Sequence, residues 1–232
     1  MKTQHTNIIA EAGEYDRKKS HYQADKVAQD YDSFRWSSSS RRWSNKRKLL
    51  AVNRAIDLAS SMGYAIRNAI DIPCGTGRII PLLFSKNIQV TGSDLSLEMM
   101  QVAKGKVSNA SLSNGFVRCD AERLPFADAS FDSIFSIRFL FHLPTDVRRR
   151  ALKEMARISR RWVIVDYRHK YTIKYRLNRL KGKLGLSNKQ YNRVSTQDIT
   201  EDFEKAGLQL VKIFPTFPVF SDKWVILAQK IR

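Results

Sequence analysis

The sequence is poor in cysteine and has no long apolar run. Cys74 and Cys119 are the only cysteines in 232 residues, too few for a disulfide framework, and their spacing fits no metal site. The apolar stretch 131–143 is interrupted by Asp132 and Arg138 and falls short of the roughly 18 residues that a membrane-spanning helix needs. Residues 1–48 are polar and basic, without the apolar core of a secretory signal. These absences predict a chain with reduced thiols that does not span a membrane.

Acidic residues are also scarce. The chain has 22 Asp and Glu against 41 Lys and Arg, which gives a formal net charge of +19. A field of that sign predicts an anionic partner, such as nucleic acid, an acidic membrane surface or a phosphorylated glycan, but says nothing about the fold. Hydrophobic residues make up 43% of the chain, enough for a packed core. We therefore expect a basic cytoplasmic protein, with peripheral attachment to the inner face of the membrane as an alternative.

Two of the 10 glycines stand in the most informative segment of the chain. Residues 69–78 read Ala-Ile-Asp-Ile-Pro-Cys-Gly-Thr-Gly-Arg and are followed by the apolar residues 79–84. An apolar run that ends in an acid and turns through two glycines into a second apolar run predicts strand, tight loop and helix. In open α/β sheets, ligands bind at the carboxyl end of such a strand. Taken alone, Gly75 and Gly77 also fit an ordinary turn, and the further glycine of a dinucleotide loop is missing.

Strand and helix patterns alternate along the rest of the chain. Beyond the loop, strands are predicted over residues 88–94, 115–120, 131–137, 162–167, 208–214 and 224–229. Further helices are predicted over residues 16–36, 43–62, 97–107 and 146–159 and from Ser195 to about residue 206, with the serine run 37–40 breaking the first two apart. The alternation predicts an α/β fold with a single Rossmann-like, doubly wound sheet of seven strands, mostly parallel with an antiparallel C-terminal strand. Residues 1–40 are interpreted as a basic, partly disordered extension with a helix, and residues 41–232 as one domain.

Four segments carry a family resemblance. They lie in order between residues 67 and 167: Asp71–Arg78, Val90–Met100, Asp120–Phe126, and Phe131–Ile134 leading to Leu140–Pro144. At this spacing they resemble the class I S-adenosylmethionine-dependent methyltransferases, specifically the small ubiquinone-biosynthesis-like group. The resemblance implies an enzyme that uses S-adenosylmethionine as its cofactor.

The resemblance also implies a set of cofactor-binding residues. Asp94, which stands about 20 residues beyond Asp71, would accept hydrogen bonds from both ribose hydroxyls. Asp120 would accept one from the adenine amino group, and Leu95 and Met99 would flank the ring, although ordinary helix packing explains these two equally well. The full set is Asp71, Pro73, Cys74, Gly75, Thr76, Gly77, Asp94, Leu95, Met99, Asp120, Ala121 and Glu122.

The chain departs from the family pattern in two places. Pro73 stands where the family usually has glycine, which removes an N–H and fixes φ near −65°. We interpret it as a rigid version of the loop. The usual Lys-Pro-Gly-Gly turn before the fifth strand is replaced by Ser-Arg-Arg-Trp at residues 159–162, which adds charge near the edge of the sheet.

His142 and Arg138 are the candidate catalytic residues, because both follow the fourth predicted strand on the expected substrate side. An alcohol acceptor would profit from a general base, and His142 is the histidine placed for that role. It could instead only pack or bond to the backbone. Arg138 would bind either an anionic group of the substrate or an acidic neighbour such as Asp166. Further substrate-side candidates are Tyr167, His169 and Tyr191.

The segment 168–193 is basic and has an apolar stripe at helical spacing. Ile173, Leu177, Leu180 and Leu184 form this stripe among lysines and arginines. Such a helix can close over the site as a lid or lie on an anionic membrane surface, and the two roles can coexist. RNA would explain the charge through phosphate contacts, although no RNA-binding module is recognisable. A cofactor-binding assembly protein without catalysis is a further alternative, and the sequence predicts no oligomeric state.

Overall fold

The computed structural model describes residues 38–106, 112–170, 193–217 and 222–231. Helices are α1 (Ser39–Ser61), α2 (Ile80–Phe84), α3 (Leu97–Lys106), α4 (Thr145–Ile158) and α5 (Thr196–Lys205), and a 3₁₀ turn covers Leu140–His142. Strands are β1 (Asn68–Asp71), β2 (Gln89–Asp94), β3 (Leu112–Arg118), β4 (Phe131–Ser136), β5 (Ser159–Arg168), β6 (Leu208–Pro215) and β7 (Lys223–Lys230). The helix predicted over residues 16–36 and most of the segment 168–193 lie outside the described residues.

All seven strands form one sheet in the order β3-β2-β1-β4-β5-β7-β6. The five strands β1 to β5 pair in parallel, whereas β7 pairs antiparallel with both of its neighbours. From β1 the chain adds β2 and β3 on one side of the sheet, and it then crosses back to place β4 on the other side of β1. Such a switch point leaves a crevice at the carboxyl ends of β1 and β4. The predicted doubly wound sheet with an antiparallel strand near the end is confirmed.

The sheet carries a separate hydrophobic core on each face. One cluster joins strand residues such as Ile134 and Val163 to α4 and α5 through Leu152 and Phe203. The other cluster joins the opposite face to α1 and α2. Successive residues of a strand point to opposite faces, so strands buried on both sides need continuous apolar runs. The apolar, non-alternating pattern of β1, β4 and β5 therefore follows from the two helix layers.

Helix α1 starts earlier than its sequence-based prediction. It begins at Ser39, four residues earlier than predicted, because the Ser38 side chain accepts a hydrogen bond from the backbone N–H of Arg41 at 3.4 Å. The serine run therefore opens the helix. Leu50 is apolar, yet its side chain is 45% exposed. The buried face consists of Lys48, Ala51, Val52, Ala55, Ile56 and Ala59.

Two strand boundaries also differ. Strand β3 spans residues 112–118 and not 115–120, so Asp120 lies beyond the strand, where it forms an isolated bridge with Arg123. Strand β5 starts at Ser159, three residues earlier than predicted. Its added charge is partnered: Arg160 pairs with Asp132 at 2.9 Å, and the guanidinium of Arg161 lies 3.9 Å from the ring centroid of Tyr64. The register of β5 with β7 begins at Trp162, so Arg160 and Arg161 precede this pairing.

Position 92 in β2 requires glycine because the ring of Phe116 lies close to its backbone. A Cβ atom at this position would lie 2.5 Å from two ring carbons of Phe116 on β3. We expect Gly92→Ala to lower the free energy of unfolding by about 1–3 kcal/mol, because the ring must shift within a packed layer. Urea unfolding measures the change.

Gly105 in α3 provides the matched control for that substitution. A Cβ atom there meets nothing within 4 Å. Alanine is the better helix former, so Gly105→Ala should be neutral or stabilising by up to about 1 kcal/mol. Equal stability of the Gly92→Ala variant and the original protein would show that Phe116 moves aside without loss.

None of the described helices is long and apolar enough to cross a membrane.

Candidate active site

A cavity opens at the carboxyl ends of β1, β2 and β4, at the switch point of the sheet. It is lined by twelve of the fourteen residues predicted for the site: Asp71, Pro73, Cys74, Gly75, Thr76, Asp94, Leu95, Met99, Asp120, Ala121, Arg138 and His142. The two that do not line it are Gly77 and Glu122. Segments that lie far apart in sequence thus converge on one cavity, as the parallel strand order requires.

The glycine loop is fixed by backbone hydrogen bonds on both sides. The N–H of Cys74 donates to the carbonyl of Ser93 on β2 at 2.7 Å, and the N–H of Gly77 donates to the carbonyl of Cys74 at 3.0 Å. Gly75 and Gly77 have φ values of 53° and 75°, a left-handed conformation that side chains with a Cβ rarely adopt. Gly77 shapes the loop although it does not line the cavity. The peptide bond between Ile72 and Pro73 is cis.

Asp94 joins the glycine loop to the start of α3. Its Oδ2 accepts the N–H of Gly75 at 2.8 Å, and its Oδ1 accepts the N–H of Ser96 at 3.0 Å. The Ser96 hydroxyl in turn accepts the N–H of Met99 at 3.1 Å in the first turn of the helix. Burial raises the pKa of Asp94, and the backbone hydrogen bonds oppose this effect. The carboxylate is therefore held in one orientation at the cavity wall, with lone pairs left to accept from a ligand.

Asp71 is the second buried carboxyl group of the cavity. It ends β1 and is almost completely buried. Burial raises its pKa well above the usual range, the nearby charge of Asp94 raises it further, and Arg78 opposes both effects. A cationic ligand would favour the ionised form of this group. Asp71 is thus placed to respond to positive charge in the cavity.

Asp120 and Glu122 have different surroundings although they are close in sequence. Asp120 lines the cavity, and its Oδ1 accepts the N–H of Glu122 at 3.1 Å. The side chain of Glu122 instead accepts a hydrogen bond from the Nε of Arg150 on α4 at 2.8 Å. The structure therefore directs Glu122 to the helix layer, while Asp120 and the buried Ala121 remain at the cavity.

Arg138 and His142 lie on a second wall of the cavity, formed by the segment that follows β4. Arg138 has a left-handed backbone with φ of 71°, and its N–H donates to Oδ1 of Asp166 at 2.5 Å. His142 ends the 3₁₀ turn, and its ring lies 4.3 Å from that of Phe141. We name residues 137–143 the β4 loop. It brings an arginine and a histidine to the same cavity as the three carboxyl groups.

The other substrate-side candidates lie elsewhere. Tyr167 is fully buried against Phe203, and burial raises its pKa. His169 stacks on Trp224 with a centroid distance of 3.7 Å, and burial lowers its pKa. Neither residue lines the cavity. Tyr191 lies outside the described residues.

The sequence analysis missed one buried ion pair beside the site. Lys48 of α1 contacts Asp166 at the end of β5, and both side chains are buried. Burial lowers the pKa of Lys48 to about 7, with the charge of Asp166 opposing the shift. The basic start of α1 reads as a solvated surface in the sequence. One signal could have placed Lys48 on the buried face. It lies at helical spacing from the apolar residues Ala51, Val52, Ala55, Ile56 and Ala59.

The family comparison agrees with this fold. Residues 70–162 match the methyltransferase domain family. The match covers both the glycine loop and the β4 loop, and over these residues it confirms the predicted resemblance to the class I, S-adenosylmethionine-dependent methyltransferases.

Individual relatives resemble part of the chain. Demethylmenaquinone methyltransferase of Thermotoga maritima is 36% identical over 94 residues, which cover 40% of this chain and 38% of that protein. The human protein named probable tRNA methyltransferase 9B is 36% identical over 89 residues, covering 38% of this chain and 18% of that protein. The chain thus spans less than half the length of these relatives.

A solved structure resembles nearly the whole chain. It is the magnesium protoporphyrin IX methyltransferase of Synechocystis PCC 6803 with bound SAH, with a TM-score of 0.67 at 19% identity, and it covers 89% of this chain and 100% of that one. At 19% identity, this likeness shows only that the two proteins share a fold.

Proposed function

We propose that the protein is an S-adenosylmethionine-dependent methyltransferase whose acceptor is a small or membrane-associated molecule. The convergence of Asp71, Asp94 and Asp120 with the glycine loop in one cavity carries this proposal. When bound, S-adenosylmethionine supplies an electrophilic methyl group on a positively charged sulfur. Carboxyl groups suit a ligand with positive charge and hydroxyl donors, because they accept hydrogen bonds and favour cations.

The residues of the cavity divide the binding task between them. Asp94 would accept from the ribose hydroxyls with the lone pairs that Gly75 and Ser96 leave available. Asp120 would accept from the adenine amino group. The buried side chain of Met99 and the half-buried Leu95 line the same cavity and offer apolar contact to a ring. The left-handed Gly75 lets the backbone approach the ligand.

The β4 loop supplies the groups proposed for the acceptor side. His142 would take the proton of a hydroxyl acceptor as methyl transfer proceeds, which a positioned base promotes. Arg138 would bind an anionic group of the acceptor, in agreement with its place on the cavity wall. Positioning of donor and acceptor in line would supply much of the rate. O-methylation and C-methylation are both compatible with these residues.

The basic surface supports an anionic acceptor or an anionic surface near it. At the start of α1, Arg41, Arg42 and Lys46 are exposed, and the neighbouring Trp43 is 54% exposed with Arg47 5.6 Å from its ring. Cations beside an exposed aromatic ring suit the headgroup region of a membrane. We therefore favour a lipid, a quinone precursor or a lipid-linked glycan, and the demethylmenaquinone methyltransferase relative supports a quinone precursor.

RNA is the second candidate acceptor. The relative named probable tRNA methyltransferase 9B supports it, and phosphate contacts would use the same basic surface. A cofactor-binding protein without catalysis is the candidate of another class. The three alternatives differ in what receives a methyl group, so a transfer experiment separates them.

We expect methyl-labelled S-adenosylmethionine to label a component of the lipid or small-molecule fraction of a cell extract. The protein is incubated with the donor and with separated lipid, small-molecule and RNA fractions, and each fraction is then counted. The His142→Ala variant should label a hydroxyl acceptor far more slowly at neutral pH. Label in RNA alone would reverse the preferred acceptor, and donor binding without label in any fraction would favour the non-catalytic alternative.

A further inference from the structure

The β4 loop is attached to the rest of the protein by an unusual contact. Arg138 is one of three described residues other than glycine with a positive φ, along with Asn87 and Ala129, and it alone of these lines the cavity. This conformation costs a residue with a Cβ roughly 1–2 kcal/mol. Its N–H donates to the Oδ1 of Asp166, at the carboxyl end of the neighbouring strand β5. The hydrogen bond therefore holds a backbone conformation that the chain would otherwise leave.

Asp166 is itself held by a buried lysine from a different layer of the fold. Its other oxygen, Oδ2, contacts the Nζ of Lys48 on α1. The same Nζ lies 5.9 Å from the ring centroid of Phe141 in the β4 loop, and the guanidinium of Arg168 lies 4.8 Å from that ring. Phe141 adjoins His142. The pair thus contacts the β4 loop at Arg138 and lies beside Phe141, the neighbour of His142.

We propose that Lys48 and Asp166 form a positioning pair that fixes the backbone of the β4 loop and so places Arg138 and His142 at the cavity. This inference rests on the proposed function only because it assumes that the cavity wall formed by the β4 loop faces the acceptor. Asp166 acts on Arg138 through a hydrogen bond, and Lys48 acts through Asp166. Neither is assigned a contact with a reacting atom.

The chemistry of the pair agrees with a positioning role better than with a purely stabilising one. Two buried charges lose their hydration, and a pair of well-packed apolar side chains often stabilises a fold equally well. A leucine and a methionine at these positions would preserve the core but offer no acceptor to the N–H of Arg138. The carboxylate at position 166 provides what an apolar pair lacks, namely a hydrogen-bond acceptor that the buried Lys48 holds in one place.

Amide hydrogen exchange measured by NMR tests the pair directly. Two double variants differ only in the acceptor: Lys48→Met with Asp166→Leu has none, whereas Lys48→Met with Asp166→Asn keeps an amide oxygen. In the Leu variant we expect exchange at Arg138 and His142 to accelerate at least ~30-fold, and in the Asn variant by less than ~5-fold. The single variant Lys48→Met should accelerate exchange about 10-fold, because its unpaired carboxylate is no longer held in place.

The glycine loop provides the internal control. The amides of Cys74 and Gly75 are hydrogen-bonded to Ser93 and Asp94, away from the pair, and their exchange should stay unchanged in all variants. Uniform acceleration of exchange at these amides and in the β4 loop would mean global destabilisation and would overturn a specific positioning role. Unchanged rates at Arg138 in the Leu variant would exclude Asp166 as the anchor, and unchanged rates in Lys48→Met would exclude Lys48.

Donor binding separates this inference from the proposed function. Calorimetric titration with S-adenosylmethionine should give the same affinity within about twofold for the original protein and the Leu variant, because the pair lies outside the donor-binding residues. Absence of donor binding in the original protein would refute the proposed function while the exchange result stands. A large loss of donor affinity confined to the variants would assign the pair to the donor site and overturn the positioning of the acceptor wall.

Discussion

Replacing Asp94 with alanine is expected to weaken S-adenosylmethionine binding by at least ~100-fold. Hydrogen bonds to a charged group contribute about 1.5–3 kcal/mol each, and the ribose would offer two of them. The substitution also removes the acceptor for the N–H of Gly75, so the glycine loop loses one of its fixed points. Calorimetric titration at constant pH and salt measures the loss.

Asp57 provides a matched control for the removal of one negative charge. It lies on α1, where its exposed carboxylate contacts Lys86 at 2.8 Å and does not line the cavity. Asp57→Ala should therefore bind the donor like the original protein. If Asp94→Ala also bound it with unchanged affinity, the assignment of the ribose site to β2 would be wrong.

The same titration should depend on pH in a defined direction. Burial raises the pKa of both Asp71 and Asp94 in the free protein, whereas a cation or a donated hydroxyl favours their ionised forms. Binding should therefore release protons, and affinity should rise with pH until the raised pKa of Asp71 is passed. Titrations in buffers of different ionisation enthalpy measure the release, which should shrink in Asp71→Asn. Proton uptake on binding would contradict this assignment.

Replacing Asp202 with alanine is expected to lower the free energy of unfolding by about 3–5 kcal/mol, because it leaves a buried charge without its partner. Asp202 lies on α5 and is fully buried. Its two oxygens accept from the Nε atoms of Arg148 and Arg149 on α4, each at 2.7 Å. The side chain of Arg148 is itself buried, so water cannot replace the carboxylate without local opening. Urea unfolding at constant pH measures the difference.

Asp146 is the control for this substitution. It pairs with Arg150 one turn along α4 at 3.0 Å, but its side chain is 66% exposed. Exposed pairs at this spacing contribute only about 0.3–0.5 kcal/mol, so Asp146→Ala should change stability by no more than that. A loss below about 1 kcal/mol for Asp202→Ala would mean that Arg148 finds another acceptor.

The convergence of the residues proposed for the donor side on one cavity could be predicted because local patterns fix their positions. Asp71 ends a strand, Gly75 and Gly77 need left-handed conformations, and Asp94 ends the next strand, so each position follows from its near neighbours in sequence. The parallel strand order then brings these segments to one edge. The alternation of strands and helices predicts the parallel arrangement, whereas the strand order comes from the structure.

The remaining features depend on partners that are distant in sequence. Lys48 is buried because Asp166 meets it from a strand that follows more than a hundred residues later. Glu122 turns away from the cavity because Arg150 on α4 is its partner. Sequence periodicity reveals neither contact, so it predicts Lys48 to be a surface charge and groups Glu122 with Asp120. Pairings between residues that are distant in sequence could therefore not be predicted for this site.

The position of β7 also affects how the chain reaches its folded state. This strand lies between β5 and β6 although it follows both along the chain. During synthesis, β5 therefore exposes an unpaired apolar edge, and β6 has no partner, until β7 has been made. Exposed strand edges favour pairing with other chains, and long-range strand pairing slows folding. The synthesis of β7 thus decides when β5 and β6 are protected from aggregation.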